Sequence, residues 1–493
     1  MKQIIRIILY IASAILISGC SKDEVQSLQK TNIQIEVEAP LTNGWHTESN
    51  IGTRSCEINT VRQESKNGLG IQINTQPDFE ATTMVQTTTR WTNLNSKTTF
   101  RVVAYKSATA EGISTSNYVD YGDYKLSDST VETARSLTLP IGTYTFICYS
   151  YGNSTDISAF TNTLTSVSAT NGQNFMTCVK EGISINNIGS KYTLSDIVFK
   201  HHCARYVISV EAQRGKISNV TACSGTLTLP NKDATYSFTT NAFTTDDSTC
   251  DLNVSWKNPN NMTVCSKYVY VLPIESKTVK IKLNSTVGGR AFSNKSFSLT
   301  KQSFNNGASY CSHISFTLKE GYLVGGAIWA PGNLYYDGSF KNQQTMYAFS
   351  TNASSGYWQW DTLYPNSSTS PSTTSWTDND PCRKIAPTGT WKLPSKNTYD
   401  TLIKETVVYS TLGGRNGVLF GNTLFIPAAS YYARGNDVPL GTDLRGIYWT
   451  QNRDDVSKGG GYCLDISMNN YTNVVVSSLA NPYCFTIRCI KAE

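Results

Sequence analysis

The chain has 493 residues, of which 16% are charged, and its formal net charge is +6. This length allows two or three domains, and the small charge excess forms no basic cluster that would indicate nucleic-acid binding. The 13 cysteines include no CxxC pair, and there are only 4 histidines. This pattern argues against zinc and favours disulfides in an oxidising compartment, so we expect neither a metal nor a cofactor.

The first 20 residues are typical of a bacterial lipoprotein signal. Lys2 and Arg6 precede an apolar run at residues 7–17 that is too short to span a membrane. The word LISGC at 16–20 has the form of a lipobox, which predicts that Cys20 becomes the acylated N-terminus. A secretory signal with a chance cysteine fits less well, because the Gly-Cys pair follows the apolar run immediately. SKDE at 21–24 resembles the surface-export signal of Bacteroidetes lipoproteins, so we expect a lipid-anchored, surface-exposed protein of the outer membrane.

Most of the following 300 residues have the alternating pattern of short β-strands. Residues 33–37 predict a first strand, and a polar segment at 42–67 that contains Arg54 and Arg62 comes next. Further strand-like segments lie at 70–73, 100–105, 144–149, 197–199, 204–210, 226–229, 268–272, 279–283 and 314–318. Because turn residues separate these segments and no long helical period occurs, we predict two consecutive β-sandwiches, at residues 21–190 and 191–320.

These two regions resemble the fimbrillin family, the subunits of the type V pili of Bacteroidetes. The resemblance rests on four words that occur in order behind the lipobox, namely FRVVAY at 100–105, LPIGTYTF at 139–146, FKHHCARY at 199–206 and YVLP at 270–273. It implies two transthyretin-like sandwich domains and assembly into a fimbrium with other fimbrillin subunits as partners. In this family an arginine-specific protease removes the first strand, and the next subunit donates a strand into the vacated groove. The implied cleavage sites here are Arg54 and Arg62.

The composition changes from Gly321 onward, where six of the nine tryptophans lie. A helix is predicted after Pro394, because Ser395 is a good N-cap and Tyr399 and Leu402 fall on one helical face. Two apolar segments around the Gly-Asn turn at 421–422 predict a hairpin, and further strands are predicted at 446–449, 462–466 and 474–476.

Residues 321–493 resemble the Fibrobacter-type major paralogous domain, which has a C-type-lectin-like α+β fold. The matching words are WAPGNL at 329–334, DPC at 380–382, WKLP at 391–394, FIPAA at 425–429, GIYW at 446–449 and IRCI at 487–490. The resemblance covers about the last third of the chain, and it implies ligand binding without naming a ligand. We expect a Cys382–Cys489 disulfide, worth ~4–5 kcal/mol in the chain-entropy model, and a second one between Cys463 and Cys484.

Long loops on this predicted scaffold could form a surface for a host or bacterial glycan or protein. The candidate ligand-binding residues are Asn436, Asp437, Asp443, Trp449, Arg453 and Asp454. Trp449 could equally belong to the core. Asp378, Asn379 and Asp380 offer oxygen ligands for calcium, but they could instead shape the turn before Cys382.

Two patterns suggest chemistry, and each has a structural alternative. His201, His202 and Cys203 could form a metal or nucleophile cluster, although neighbouring strand residues point to opposite faces and the fimbrillin resemblance implies a core strand. The formylglycine-generating family also has a lectin-like fold, and an enzyme of that kind would need a reactive pair formed by Cys463 and Cys484. We predict that the protein is not an enzyme.

The sequence therefore predicts a mainly β protein with two transthyretin-like sandwiches followed by a C-type-lectin-like domain. Its predicted function is that of a surface-anchored fimbrillin-type pilus subunit. We expect a tip adhesin, because a chain that ends in a stapled domain has no free donor segment. The alternative is a surface lipoprotein that binds glycan and never polymerises.

Overall fold

The computed structural model describes residues 33–45, 60–64, 68–77, 91–160, 165–186, 191–365, 379–433, 438–454, 460–468, 473–479 and 483–492. The signal region with Cys20 lies outside these residues, and so do Arg54, Asn436, Asp437 and Asp378. No helix within the described ranges is both long and apolar enough to cross a membrane.

The described chain is built mainly from short strands. The strands before residue 203 are β1 Ile33–Val37, β2 Leu41–Asn43, β3 Thr60–Glu64, β4 Leu69–Pro77, β5 Trp91–Asn93, β6 Thr99–Tyr105, β7 Tyr118–Ser127, β8 Thr130–Arg135, β9 Leu137–Leu139, β10 Gly142–Ser150, β11 Ser166–Thr170, β12 Met176–Ile185, β13 Tyr192–Leu194 and β14 Val198–His201. Those up to residue 318 are β15 Ala204–Ala212, β16 Val220–Pro230, β17 Asp233–Ser237, β18 Ala242–Thr245, β19 Thr249–Ser255, β20 Thr263–Cys265, β21 Val269–Val271, β22 Ile274–Val287, β23 Arg290–Phe304 and β24 Ser309–Leu318.

The C-terminal unit, residues 322–491, has shorter strands and two α-helices among its described residues. Its strands are β25 Tyr322–Val324, β26 Ala327–Trp329, β27 Leu334–Tyr336, β28 Phe340–Asn342, β29 Trp391–Lys392, β30 Val407–Leu412, β31 Arg415–Phe420, β32 Leu424–Pro427, β33 Tyr432–Ala433, β34 Arg445–Arg453, β35 Gly461–Ser467, β36 Asn473–Leu479, β37 Tyr483–Cys484 and β38 Ile490–Lys491. Its α-helices are α1 Ala353–Gly356 and α2 Lys396–Leu402, and it has a short 3-10 helix at Pro381–Lys384. Another 3-10 helix, Thr115–Asn117, precedes β7 of the first sandwich.

The first sandwich packs an eight-stranded sheet, in the order β5-β2-β14-β12-β10-β6-β7-β8, against the three-stranded sheet β13-β1-β9. Between them lies an apolar core to which the large sheet contributes Phe100, Phe146 and Phe199. The small sheet contributes Ile33 and Leu139 to the same core. A second core, which contains Tyr149, Phe175 and Tyr236, covers the opposite face of the large sheet beneath the sheet β11-β17-β18. The large sheet is therefore buried on both faces.

The second sandwich combines the sheets β20-β15-β24-β4-β3, with β21 also paired to β15, and β19-β16-β22-β23. Its strands β3 and β4 come from residues 60–77, whereas β13 and β14, at residues 192–201, complete the first sandwich. This pairing corrects the boundary predicted between residues 190 and 191, because strands cross it in both directions. Alternation predicts that a strand forms and which face it buries, but it does not predict the distant strand with which it pairs.

The described part of the C-terminal unit has five small sheets, β25-β26-β38-β29, β27-β28, β30-β31-β32, β33-β37 and β34-β35-β36. Helix α2 starts where the sequence predicted, with the Ser395 side chain accepting a hydrogen bond from the Thr398 amide. Cys382 and Cys489, both fully buried, are joined by a disulfide, which is the expected pairing. Leu323 packs into the core of the second sandwich, and its carbonyl accepts a hydrogen bond from the Ser218 amide. The unit therefore contacts the second sandwich directly.

Candidate functional site

The first described strand, β1, occupies the centre of the small sheet rather than an edge. It pairs antiparallel with β9, so that Ile35 lies opposite Leu137, and parallel with β13, so that Ile35 lies opposite Tyr192. The strand forms because β-branched residues at alternate positions suit a half-buried pleated surface. The channel between β9 and β13, which β1 fills, is named the β1 groove.

The β1 groove is deeply apolar. Ile33 and Ile35 are each 1% exposed and lie in the core of the first sandwich. Burial of each of these side chains is worth about 1.5–3 kcal/mol in transfer free energy. The Tyr124 hydroxyl also donates a hydrogen bond of 3.0 Å to the Ile35 carbonyl oxygen. Without β1, both neighbouring strands would expose a row of unpaired backbone groups above an apolar floor.

The same stretch of chain inserts a second strand into the large sheet. In β2, Thr42 pairs with Phe199 on one side and with Thr92 on the other. Just beyond β2, the Trp45 ring stacks on His201 with 3.9 Å between the ring centroids. Residues 33–45 therefore complete both sheets of the first sandwich. Trp45 also contacts the second sandwich, since its ring stacks on Tyr270 of β21 with 5.8 Å between the ring centroids.

The two predicted cleavage sites differ in what the structure says of them. Arg54 lies outside the described residues. Arg62 lies within β3, opposite Gln72 of β4, and so belongs to a paired strand of the second sandwich. A cut after Arg62 would divide β3, whereas a cut after Arg54 would leave it whole.

The His201–Cys203 segment is a hydrogen-bonded part of the core. The Nε2 atom of His202 lies 2.7 Å from the Thr177 hydroxyl oxygen and 3.1 Å from the Tyr236 hydroxyl oxygen. Burial lowers the pKa of His202 to about 3 and raises the pKa of Cys203 to about 12. At neutral pH the imidazole is therefore neutral and the thiol is protonated, as in a structural strand. No group of three possible metal-binding side chains occurs among the described residues.

The predicted ligand-binding residues of the C-terminal unit do not form one surface. Trp449 is fully buried, and its indole Nε1 donates to the carbonyl oxygen of Trp358 at 2.7 Å. Asp454 is 2% exposed, and half-buried Asp443 pairs with Arg415 at 3.3 Å. Arg453, at the end of β34, is exposed. The prediction is corrected for Trp449 and Asp454, because both side chains are buried.

The predicted Cys463–Cys484 disulfide is not formed. Cys463 is a thiol on β35, where it faces Trp449 and lies 3.5 Å from the carbonyl oxygen of Ser477. Cys484 belongs to a different cluster, beside Tyr432. Burial raises the pKa of Cys463 to about 12, so this thiol is protonated at neutral pH and the reactive pair that an enzyme would need is not assembled.

Asp380 shapes the turn before Cys382, which was the alternative to a role in calcium binding. Its two carboxylate oxygens accept hydrogen bonds from the amides of Cys382, at 2.9 Å, and Leu393, at 3.0 Å. Because the side chain is 4% exposed and both oxygens accept backbone hydrogen bonds, Asp380 holds the turn in place.

A feature that the sequence did not reveal is a set of exposed apolar side chains on and beside the hairpin β30–β31, which lie on both of its faces. Val408, Tyr409 and Leu412 of β30 are exposed, and Tyr347 lies against Gly413 at the turn. We call these side chains, Tyr347, Val408, Tyr409 and Leu412, the hairpin patch. The signal was present as an uncharged β-branched segment, VVYSTL, but periodicity alone does not show that such a segment lies at a free edge.

The comparison with protein families identifies the class to which this arrangement belongs. The model of the Fimbrillin-like family matches residues 82–328, which is half of the chain. The chain belongs to the Fimbrillin-like family. A search of curated proteins found no match.

Several solved structures match parts of this chain at low sequence identity. A candidate cell adhesion protein of Bacteroides fragilis is 13% identical, with 59% of this chain and 98% of that chain covered and a TM-score of 0.39. A candidate cell adhesion protein of Bacteroides ovatus is 12% identical, with 59% and 97% covered and a TM-score of 0.34. The fimbrial anchor protein Mfa2 of Porphyromonas gingivalis is 15% identical, with 38% and 71% covered and a TM-score of 0.23.

Proposed function

We propose that the protein is a surface fimbrial subunit that exchanges its first strand for a strand donated by another fimbrillin subunit. The observation that carries this proposal is the position of β1, which is buried and paired on both sides. A strand in that position can be replaced only if it is first released. The polar segment that follows residue 45 and contains Arg54 provides the place for the cut.

Cleavage after Arg54 fits the strand pairing better than cleavage after Arg62. A protease acts most readily on backbone that is not engaged in a sheet, and Arg62 is paired with Gln72 within β3. A cut after Arg54 would release residues 33–45 and keep the sheet of the second sandwich intact. Acylation at Cys20 would hold the precursor at the outer membrane until that cut.

The emptied β1 groove would select its new occupant by backbone pairing and by side-chain pockets. The unpaired edges of β9 and β13 would bind an extended segment through main-chain hydrogen bonds. The sites vacated by Ile33 and Ile35 would accept apolar side chains that lie two positions apart in the donated segment, since alternate residues of a strand share a face. A C-terminal segment of another subunit with this alternation would restore the core.

The C-terminal unit would supply adhesion, which suits a subunit at the fimbrial tip. Strand exchange in the first sandwich does not involve the hairpin patch, so this surface stays available in an assembled subunit. Its exposed aromatic and aliphatic side chains beside the Arg415–Asp443 ion pair suit a host or bacterial protein or glycan.

The test compares the wild-type chain with the variant Arg54→Ala/Arg62→Ala. After treatment with an arginine-specific protease, the wild type should bind an immobilised C-terminal peptide of a fimbrillin stalk subunit, and the variant should not. A peptide in which the apolar positions are shifted by one residue is the matched control. Equal binding by wild type and variant would contradict strand exchange.

A further inference from the structure

Two cysteines of the first sandwich face each other across neighbouring strands. In the antiparallel pair β10–β12, Cys148 lies directly opposite Cys178. Cys148 is fully buried in the core beneath β1, and the partly buried Cys178 packs against the same core, so both side chains lie on one side of the sheet. Opposed residues of antiparallel strands have Cα atoms about 4.5–5.5 Å apart. This spacing falls within the range of about 4.4–6.8 Å that disulfides span.

This arrangement differs from that of the other described cysteines on paired strands. Cys223 faces Ser285, Cys250 faces Leu229, and Cys265 faces Ser209. Among the strand pairs that the structure describes, only Cys148 and Cys178 bring two cysteines into register. Burial raises the pKa of the Cys148 thiol, and the nearby Cys178 raises it further.

Cys148 and Cys178 are thiols in this structure, and we propose that they are joined by a disulfide once the chain reaches an oxidising compartment. The reaction needs an external disulfide, either a small molecule or the disulfide of an oxidoreductase. The thiolate of Cys178, the more accessible of the two, attacks that bond to form a mixed disulfide and releases one thiolate. The Cys148 thiolate then attacks the Sγ of Cys178 and releases the second thiolate. The two cysteines lose two electrons and two protons, and the external disulfide is reduced to two thiols.

The bond would brace the sheet behind the β1 groove. The chain runs from β9 directly into β10 and from β13 into β14, so each wall of the groove is attached to a strand of the large sheet. Strand β12 lies between β10 and β14 in that sheet. A covalent link between β10 and β12 therefore holds this frame together when β1 is absent. The bracing role rests on the proposed function, whereas the bond itself does not.

Disulfide mapping tests the bond directly. The full chain is exported to an oxidising periplasm, denatured in the presence of iodoacetamide and digested without reduction. We expect one linked fragment that contains Cys148 and Cys178 and is lighter by two hydrogen atoms than the sum of the reduced peptides. Cys463, which faces Trp449 and Ser477, is the internal control and should be alkylated. Alkylation of both Cys148 and Cys178, or linkage of either to another cysteine, overturns the proposal.

Thermal unfolding then tests the bracing role. Wild type and the variant Cys148→Ala/Cys178→Ala are compared before and after cleavage by an arginine-specific protease. The cleaved wild type should unfold about 5 °C or more above the cleaved variant, and a reductant should abolish the difference. If the bond is mapped but the cleaved wild type and the cleaved variant unfold at the same temperature, the bracing role is overturned. If cleavage fails to release residues 33–45, the proposed function fails instead, while the mapped bond still stands.

Discussion

Arg488 donates a hydrogen bond from Nε to the Oδ1 atom of Asn333, 2.8 Å away, across 155 positions of the chain. Its Nη2 donates to the carbonyl oxygen of Met346 at 2.8 Å, and its Nη1 donates to the carbonyls of Ala330 and Pro331 at 3.2 Å. The guanidinium is fully buried, and desolvation lowers the pKa of Arg488 from its ordinary value. Arg488 therefore connects the segment between β37 and β38 to the loop after β26.

Replacement of Arg488 should destabilise the C-terminal unit. We expect Arg488→Lys to cost about 2–4 kcal/mol, because an ammonium cannot reproduce the planar fork and leaves buried carbonyls unpaired. The measurement is urea unfolding of the full chain followed by tryptophan fluorescence. Arg383→Lys, at an exposed position in the same unit, is the control and should change stability by less than about 0.5 kcal/mol. Equal midpoints of the two variants would show that the Arg488 bonds contribute no net stability.

Loss of the Cys382–Cys489 disulfide should have an effect of similar size. The bond closes a separation of 107 residues, for which the chain-entropy model gives ~4–5 kcal/mol. We expect Cys382→Ala/Cys489→Ala to lower the free energy of unfolding of the C-terminal unit by most of this amount. Cys463→Ala, which removes a buried thiol without a disulfide, is the matched control. Peptide mapping that placed Cys382 on any partner other than Cys489 would refute the assignment.

The stability of the first sandwich should decrease in acid because of His202. Its pKa is about 3 in the folded protein and near the ordinary value of 6.5 in the unfolded chain, so the unfolded state binds the extra proton. Stability is complete above about pH 6.5 and falls by up to about 1.4 kcal/mol per pH unit as the pH drops towards 3. The variant His202→Gln should show a flatter pH profile between pH 6.5 and 4 in chemical unfolding. His313→Gln is the control. If the unfolding free energy of His202→Gln falls in acid as steeply as that of the wild type, this assignment is contradicted.

A substitution in β1 should act on the precursor and not on the assembled subunit. Ile35→Ala removes a buried side chain and should destabilise the uncleaved protein by about 2–5 kcal/mol. After cleavage and donor binding, Ile35 is no longer part of the molecule, so the variant and wild type should unfold at the same temperature. The neighbour Gln34, whose side chain is half-buried, offers the control Gln34→Ala. A difference that persisted in the donor-bound complex would mean that β1 had stayed in place.

Local signals in the sequence were sufficient where a few neighbouring residues determine the structure. Ser395 predicted the start of α2, and the Gly421–Asn422 turn, with both residues at positive φ, predicted the hairpin β31–β32. The alternation of residues 33–37 likewise predicted a strand. In each case the capping group, the turn conformation or the buried face depends on residues adjacent in the chain.

Other features depend on contacts between distant segments and could not be predicted in this way. That β4 pairs with β24 is a matter of topology, which alternation does not encode. Cys463 and Cys484 were expected to pair because both lie in the same region, yet their strands direct them into different clusters. Trp449 was a ligand candidate because aromatic residues suit binding surfaces, but its ring packs with Trp358 and Phe485 in a core cluster.

The most direct measurement of the strand-exchange account is the N-terminal sequence of the protein isolated from assembled fimbriae. The account predicts that the chain begins at Ser55 after cleavage at Arg54, or at Gln63 after cleavage at Arg62. In either case residues 33–45 are absent. A fimbrial protein that still begins before Ile33 would contradict the account, because β1 would then still fill the groove that a donated strand must enter.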